Sequence, residues 1–473
     1  MLYSKDQNEE IIILGGGLAG LSAGYVLAQA NKKVIVFESD SAVGGLSKTI
    51  ERDGFRFDLG GHRFFTKNEQ VDCFVKNLMG EELLSVPRSS KIYLRDKYFD
   101  YPLKPSNAIF GLGILTTLKI LSDYGTEKIK KFFRPAEITS LEDWVVNQFG
   151  RAMFNLYFKQ YSEKVWGVDC SRISAEWVAK RIQGLSLGVA IKNAFFKVSG
   201  KGLPTLADNF LYPALGIGRI SERLRDAIDT KGHVKTSTRV ERLYHSNFRV
   251  EGALMKNCDA TYQVSGHQFI SSIPMPALVK MLEPEAPADV LNAASKLRYR
   301  DLVIVAVMIN RERVTDQTWI YIPERKIALG RIHEPKNWSE KMAPPGKTLL
   351  VAEHFCFEGD NTWSMEDKQL LDVTSQCLAK LGFIKENEVV DGVVVRVPKA
   401  YPLLEVGYKE HYGKIWDYLS RFQNLHVIGR SGTFRYLNMD HAIQAGIETA
   451  EVILEMKNGT RAAKGAAFAG GNA

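Results

Sequence analysis

"IIILGGGLAGLSAGYVLAQANKKVIVFES", residues 11–39, decides the fold. Four apolar residues, three of them β-branched, run into a glycine turn. A helix-period segment follows over about 18–30, and a second strand, 33–38, ends on Glu38. Gly15, Gly17 and Gly20 make G-x-G-x-x-G, a weak signal alone, here set between a strand and a helix. Gly15 permits the tight turn, Gly17 lets backbone approach a pyrophosphate, and Gly20 allows close helix–strand packing. The helix N-terminus faces the anion, and Glu38, eighteen residues beyond Gly20, can accept hydrogen bonds from a ribose. The stretch predicts a dinucleotide site.

The other end of the chain repeats the pattern. "NLHVIGRSGTFRYLNMDHAIQAGIETAEVIL", 424–454, is a short strand, a Gly-Arg step and a helix. Arg430 can pair bidentately with a phosphate. Asn438 or Asp440 can cap the helix, and Ala442, Ala445 and Gly446 give it a thin side. A nicotinamide enzyme has no reason to return to the nucleotide at its C-terminus. A flavin enzyme must wrap the far ring, so the two ends together predict a flavin dinucleotide. A plain terminal helix with a surface arginine is the bland alternative.

With 473 residues the chain exceeds one ordinary core. Its 45% hydrophobic and 25% charged content is that of a soluble globular protein. Five scattered cysteines, with no CxxC or zinc spacing, fit a reducing compartment and no metal site. No secretory signal is evident, and "IFGLGILTTLKIL" (109–121) is too short to span a membrane, so a cytoplasmic protein without an integral membrane segment is expected. A net charge of +8 favours anionic partners without choosing one. The basic run "KIKKFFR" (128–134) reads as a solvated face; no zinc finger or RNP-like aromatic pattern accompanies it, and nucleic acid is not expected.

The pattern predicts an α/β protein: a Rossmann-like FAD-binding domain with a parallel sheet, a helical subdomain and a mixed-sheet substrate domain. The expected segments are 1–70 for FAD binding, 71–200 mainly helical, and 201–275 FAD binding again. Then follow 276–400 as the mixed sheet, 401–456 as the C-terminal FAD segment and 457–473 as a disordered tail. "DLVIVAVMIN", "KTLLVAEHFC" and "DGVVVRVPKAYP" are the clearest strands, and "LEDWVVNQFGRAMFNLYFKQYSEKVWG" the clearest helical stretch.

"GGGLAGLSAGYVL", "FESDSAVGGLSKT", "FDLGGHRFF", "HQFISSIPMPALVKML" and the final Gly-Arg segment resemble the FAD-containing amine oxidase and protoporphyrinogen oxidase superfamily. Within it the chain is most similar to UDP-galactopyranose mutases. The resemblance implies non-covalent FAD held by Gly15, Gly17, Leu18, Ala19, Gly20, Glu38, Ser39, Gly45, Leu46, Gly61, His62, Gly429, Arg430 and Met439. "FKQYSEKVWG" implies substrate-cleft roles for Tyr161 and Trp166, "LRYRDL" a diphosphate-binding Arg300, and "GRSGTFRYLNMDHAI" a phosphate contact from Tyr436 beside Asn438. "GGHRFFTKNEQV" implies a flavin-adjacent His62. Asn438 stands where bacterial mutases carry Asp, and no second diphosphate arginine aligns.

Each residue also has a plainer reading. Tyr161 and Trp166 sit on an apolar helix as core aromatics do, His62 suits a satisfied loop histidine, and Arg300 flanks a strongly apolar strand. The resemblance implies a nucleotide-diphosphate sugar as substrate, with reduced flavin displacing the diphosphate through N5 and the sugar reclosing as a different ring. The alternative is an FAD oxidoreductase of the amine oxidase or desaturase type, taking hydride from an apolar or amine substrate. The sequence leaves oligomeric state open.

Overall fold

The computed structural model describes residues 10–94, 96–101, 114–133, 137–181 and 209–457. Its first sheet is parallel, in the order Leu425–Val427, Gln268–Ser271, Ile11–Leu14, Val34–Phe37, His233–Lys235. Ile11 stands opposite both Gln268 and Val34, and the register continues without slip to Leu14. Parallel strands are buried on both faces, which is why this one reads as an unbroken apolar run. Ile11 and Ile13 pack with helices Leu18–Gln29, Arg219–Asp229 and Met439–Lys457 on one side. Ile12 and Leu14 face the other, against strands Arg239–Ser246 and Arg249–Lys256 and helices Ala288–Lys296 and Tyr408–Leu419.

A seven-stranded mixed sheet stands beside it, in the order Val389–Pro402, Tyr299–Ile309, Thr348–Cys356, Arg331–His333, Trp319–Tyr321, Ser90–Leu94, Lys97–Asp100. Every residue of Tyr299–Ile309 is buried. Its odd-numbered residues from Val303 meet helix Asp367–Lys380, and its even ones from Leu302 meet Phe55, Phe57 and Leu59.

Segment 71–200 opens within helix Glu69–Met79 and then departs from its expected helical character. Strands Ser90–Leu94 and Lys97–Asp100 form a hairpin whose turn holds Asp96 at φ +58°. Strand Leu83–Pro87 pairs with Asn209–Pro213. "SKIYL" and "KYFD" are too short for periodicity to separate strand from helix, and the strand that joins their hairpin to the sheet, Trp319–Tyr321, lies more than two hundred residues away. Beyond them the helices Ile114–Phe133, Leu141–Phe149 and Lys159–Trp166 appear, the last entered through a π-helical turn at Phe154–Phe158. Ser140 and Asp143 form a reciprocal cap at Leu141. Of the tail expected to be disordered, only Lys457, which closes the last helix, lies within the described residues.

Candidate functional site

The two ends of the chain meet. Strand Leu425–Val427 joins the same sheet as Ile11–Leu14, with Gln268–Ser271 between them. Helix Met439–Lys457 crosses helix Leu18–Gln29 so closely that a Cβ on Gly446 would stand 2.4 Å from the Ala19 carbonyl oxygen. At the turn Gly15 takes φ +106°, and a Cβ there would meet Ser272 Oγ at 2.3 Å. Gly17 differs: a Cβ on it would have no atom within 4 Å. The backbone is bare on the side where an anion reaches the first-turn N–H groups of Leu18, Ala19 and Gly20.

Glu38, buried at the end of its strand, accepts from the Gly16 N–H at 2.7 Å through Oε2. Its Oε1 accepts from the Asp40 N–H at 2.9 Å and from exposed Ser39 Oγ at 3.1 Å. A carboxylate has about four lone-pair directions, so this fixed group keeps capacity for a further donor. Gly45 closes over the turn, its Cβ position 3.4 Å from Gly17 Cα, and partly buried Leu46 packs into the core under the second sheet.

Gly429 leads from this turn to a second cluster; its φ is +76°, and its Cβ position is 3.0 Å from Ala19 Cβ. The Arg430 guanidinium lies 4.0 Å from the Tyr436 ring centroid and 5.1 Å from that of Tyr401. Its Nη1 donates to the Leu437 carbonyl and Nη2 to that of Ala400, both at 2.9 Å, while buried Nε has no partner. The bidentate phosphate contact expected of Arg430 is therefore corrected: both terminal nitrogens hold backbone carbonyls, and the buried Nε is without a protein partner. Tyr401 and Tyr436 stack at 5.8 Å, and fully buried Trp166 meets both edge-on. Trp166 thus combines its two readings, a core residue that backs the tyrosines.

Across from them the second sheet presents Arg331 and Glu353, paired directly between strands and joined as an ion pair. Arg331 also donates to the Tyr401 hydroxyl at 2.6 Å and lies over the rings of Phe355 and Trp319, at 4.9 and 5.3 Å. Burial alone would lower the Arg331 pKa; Glu353, Tyr401 and Tyr161 more than reverse this, and it stays charged. Tyr161, raised by burial, stands edge-on to Tyr321 at 5.7 Å. Gly61 donates weakly to Glu353, at 3.4 Å, and lies so close to Trp319 that no Cβ fits.

His62 follows in this loop. Burial pushes its pKa down to about 4; the hydrogen bond to the Gly60 carbonyl opposes this, and the guanidiniums of Arg430, Arg331 and Arg63 add to it. It is neutral at pH 7. A carbonyl only accepts, so Nδ1, 3.1 Å from Gly60 O, carries the proton and Nε2 keeps a lone pair. Nearby His333 is driven down to about 3 by burial, then by Arg331 and His62.

Arg300 is elsewhere in role. It is 5% exposed; Nε donates to Val165 O at 3.0 Å, and Nη2 to Phe355 O at 3.0 Å and Lys164 O at 3.4 Å. It closes the C-terminal carbonyls of helix Lys159–Trp166 and ties them to strand Thr348–Cys356. The diphosphate contact expected of Arg300 is corrected accordingly: the side chain is buried, with Nε and Nη2 held by backbone carbonyls. Asn438 is exposed, and its carbonyl accepts the first bond of the last helix, from Ala442 N at 3.1 Å. Met439 packs into the core shared with Leu18 and Ala19.

Sequence reading missed Arg331, Glu353 and Trp319. An acid inside "LLVAEHFC" was the available signal, since a buried carboxylate needs a partner. The partner itself sits in a three-residue strand without a pattern. Among the described residues no group of acids, histidines and cysteines could hold a metal, and all five cysteines are free. Among the described residues no helix is long and apolar enough to cross a membrane.

The residues present fit a flavin dinucleotide: a bare glycine turn at a helix N-terminus, a fixed carboxylate for a ribose, and a half-buried arginine whose buried Nε has no protein partner. Comparison with known proteins agrees. A solved structure of reduced UDP-galactopyranose mutase matches 95% of this chain and 96% of its own, with TM-score 0.82 and 22% identity. A putative protoporphyrinogen oxidase from Exiguobacterium sp. 255-15 matches 96% of this chain and 100% of its own, with TM-score 0.72 and 16% identity. Coproporphyrinogen III oxidase of Bacillus subtilis (strain 168) is 21% identical over 90% of this chain and 94% of its own length. The family described as flavin containing amine oxidoreductase matches residues 18–454. The chain belongs to that family, and its cofactor is FAD.

Proposed function

We propose that this enzyme is a mutase of a nucleotide-diphosphate sugar, interconverting pyranose and furanose rings without net redox change. The observation that carries this reading is charge: three guanidiniums, of Arg430, Arg331 and Arg63, act on His62. Glu353 offsets one of them, as the ion-pair partner of Arg331. Such a field attracts a diphosphate and repels a protonated amine. The likeness in fold to UDP-galactopyranose mutase, extending over nearly the whole chain, supports the same reading.

In this reading Gly15, Gly17, Leu18, Ala19, Gly20 and Gly45 seat the FAD pyrophosphate, and Glu38 with Ser39 takes the ribose. Leu46, Gly61, His62, Gly429, Arg430 and Met439 hold the ring end. When bound and reduced, FAD would supply the electron pair needed to displace the diphosphate from the anomeric carbon. The hydroxyls of Tyr161 and Tyr436 hydrogen-bond the diphosphate, and Arg63 supplies the charge that Arg300 does not. Trp166 keeps Tyr436 in place, and Asn438 lies at the rim. Neutral His62 accepts at Nε2 the proton that a sugar hydroxyl loses as it closes the new ring, and gives it back to the ring oxygen that is freed when a ring opens.

The test is anaerobic: dithionite-reduced enzyme is incubated with UDP-hexopyranoses, and NMR is used to look for furanose anomeric signals. New ring forms are expected with oxygen excluded and no net oxidation of the sugar. A second reading, FAD-dependent oxidation of an anionic substrate, is favoured by the withdrawal of Arg300 into the protein. Oxygen consumption coupled to substrate loss by the oxidised enzyme in aerated buffer, with no ring isomer formed in the anaerobic incubation, selects it.

A further inference from the structure

Helix Ile114–Phe133 has an apolar face that the described residues leave uncovered. Leu115 is 85% exposed, Leu118 57%, Ile129 62%, Phe132 83% and Phe133 74%. These are the five most exposed large apolar side chains among the described residues, and all lie on one helix. At about 100° per residue they share with Leu121 one stripe roughly 120° wide, whose other members are uncharged Ser122 and Gly125. The opposite face belongs to the protein. Ile120 is buried, Asp123 accepts from the Ala152 N–H at 2.8 Å, and Lys128 and Lys131 donate to Asn147 at 3.2 and 3.1 Å. The helix is thus clamped to helix Leu141–Phe149 with its greasy side outward.

Lysines edge the stripe. Exposed Lys119 and Lys130 follow it on one side, Lys130 also paired with Glu127 at 2.9 Å, and on the other side stands Lys128, whose tip reaches Asn147. We propose that this helix docks the enzyme on an anionic lipid bilayer, lying in the plane of the surface with Leu115, Leu118, Leu121, Ile129, Phe132 and Phe133 in the acyl boundary and the lysines among the headgroups. Three points select this occupant. An uncharged stripe bordered by lysines matches a surface that is apolar beneath and negative above. A second copy packed face to face would bring equal lysine rows together. The chain as a whole carries +8, which draws it to such a surface from a distance. The helix itself does not meet the length and apolarity that a span requires, so the attachment is peripheral.

Flotation of the FAD-loaded full chain with phosphatidylcholine vesicles, with and without phosphatidylglycerol, tests this. The protein is expected to float with the mixed vesicles, much less with phosphatidylcholine alone, and less as salt rises. Leu118→Glu/Phe132→Glu should lower partition roughly a hundredfold, since each buried side chain of this size contributes about tenfold or more. Lys119→Glu/Lys130→Glu should remove the preference for phosphatidylglycerol. Both variants alter exposed side chains and should keep the flavin spectrum and the circular dichroism of the parent. Absence of binding to mixed vesicles by the parent, or binding undiminished in Leu118→Glu/Phe132→Glu, overturns the proposal. So does a dimer in light scattering that this variant converts to monomer.

Discussion

Replacing Glu353 by Gln removes a charge and almost no volume, and so isolates what the ion pair with Arg331 contributes. Glu353 is wholly buried and the Arg331 side chain is 14% exposed, so water cannot take over the role of the missing carboxylate. At contact distance and an effective dielectric near 20 the attraction is about 4 kcal/mol, and breaking one side of a buried pair typically costs about 3–5 kcal/mol. Unfolding entropy near 60 °C is about 2.1 cal/mol/K per residue, or about 1 kcal/mol/K for 473 residues. Glu353→Gln should therefore lower Tm by about 3–5 °C. The neutral double variant Glu353→Gln/Arg331→Met should lose less than the sum of the two single changes, because no charge is stranded. Calorimetry of the holoenzyme at pH 7 measures both. A single-variant Tm within 1 °C of the parent, or losses that simply add (roughly 0.5 kcal/mol being the usual scatter), would refute the coupling.

Gly17→Val should fold but purify with little or no flavin, because its Cβ meets nothing within 4 Å of protein yet occupies the approach to the first helical turn; full yellow colour would sink that placement. Arg300→Ala should cost about 3 kcal/mol through its lost carbonyl contacts while leaving UDP affinity within about twofold, a pairing that a substrate-binding arginine would reverse. Buried His354 has its pKa pushed down to about 4, by burial and then by Lys164. The unfolded chain therefore takes up the proton first, and the stability this group contributes is present above about pH 6.5 and is lost as pH falls from there toward 4. His354→Gln should flatten that part of the Tm profile by up to about 3 kcal/mol, and parallel profiles would contradict the assignment.

The dinucleotide half of the site was legible because its signals are local. Ile11–Leu14, the glycine turn, Glu38 and the final Gly-Arg step each carry their geometry within a few residues, and a parallel strand buried on both faces advertises itself as unbroken β-branched sequence. The cleft half was less legible because its geometry is set by cross-strand pairs. Arg331 gains its meaning from lying opposite Glu353, twenty-two residues away, and from a tyrosine seventy residues away. Arg300 was misread for the same reason: an arginine beside an apolar strand looks available until the helix ending at Trp166 is seen to rest on it. The hairpin at Ser90–Asp100 was missed because its strands are short and its partner strand begins only at Trp319.

Calorimetric titration of UDP into the dithionite-reduced holoenzyme, repeated with Arg63→Ala, tests the electropositive cleft most directly. Saturable binding that weakens with salt, and weakens by about tenfold or more in Arg63→Ala, is predicted, since a charge-assisted contact typically contributes about 1.5–3 kcal/mol. Absence of binding to the reduced enzyme, or equal affinity in both proteins, would contradict the account.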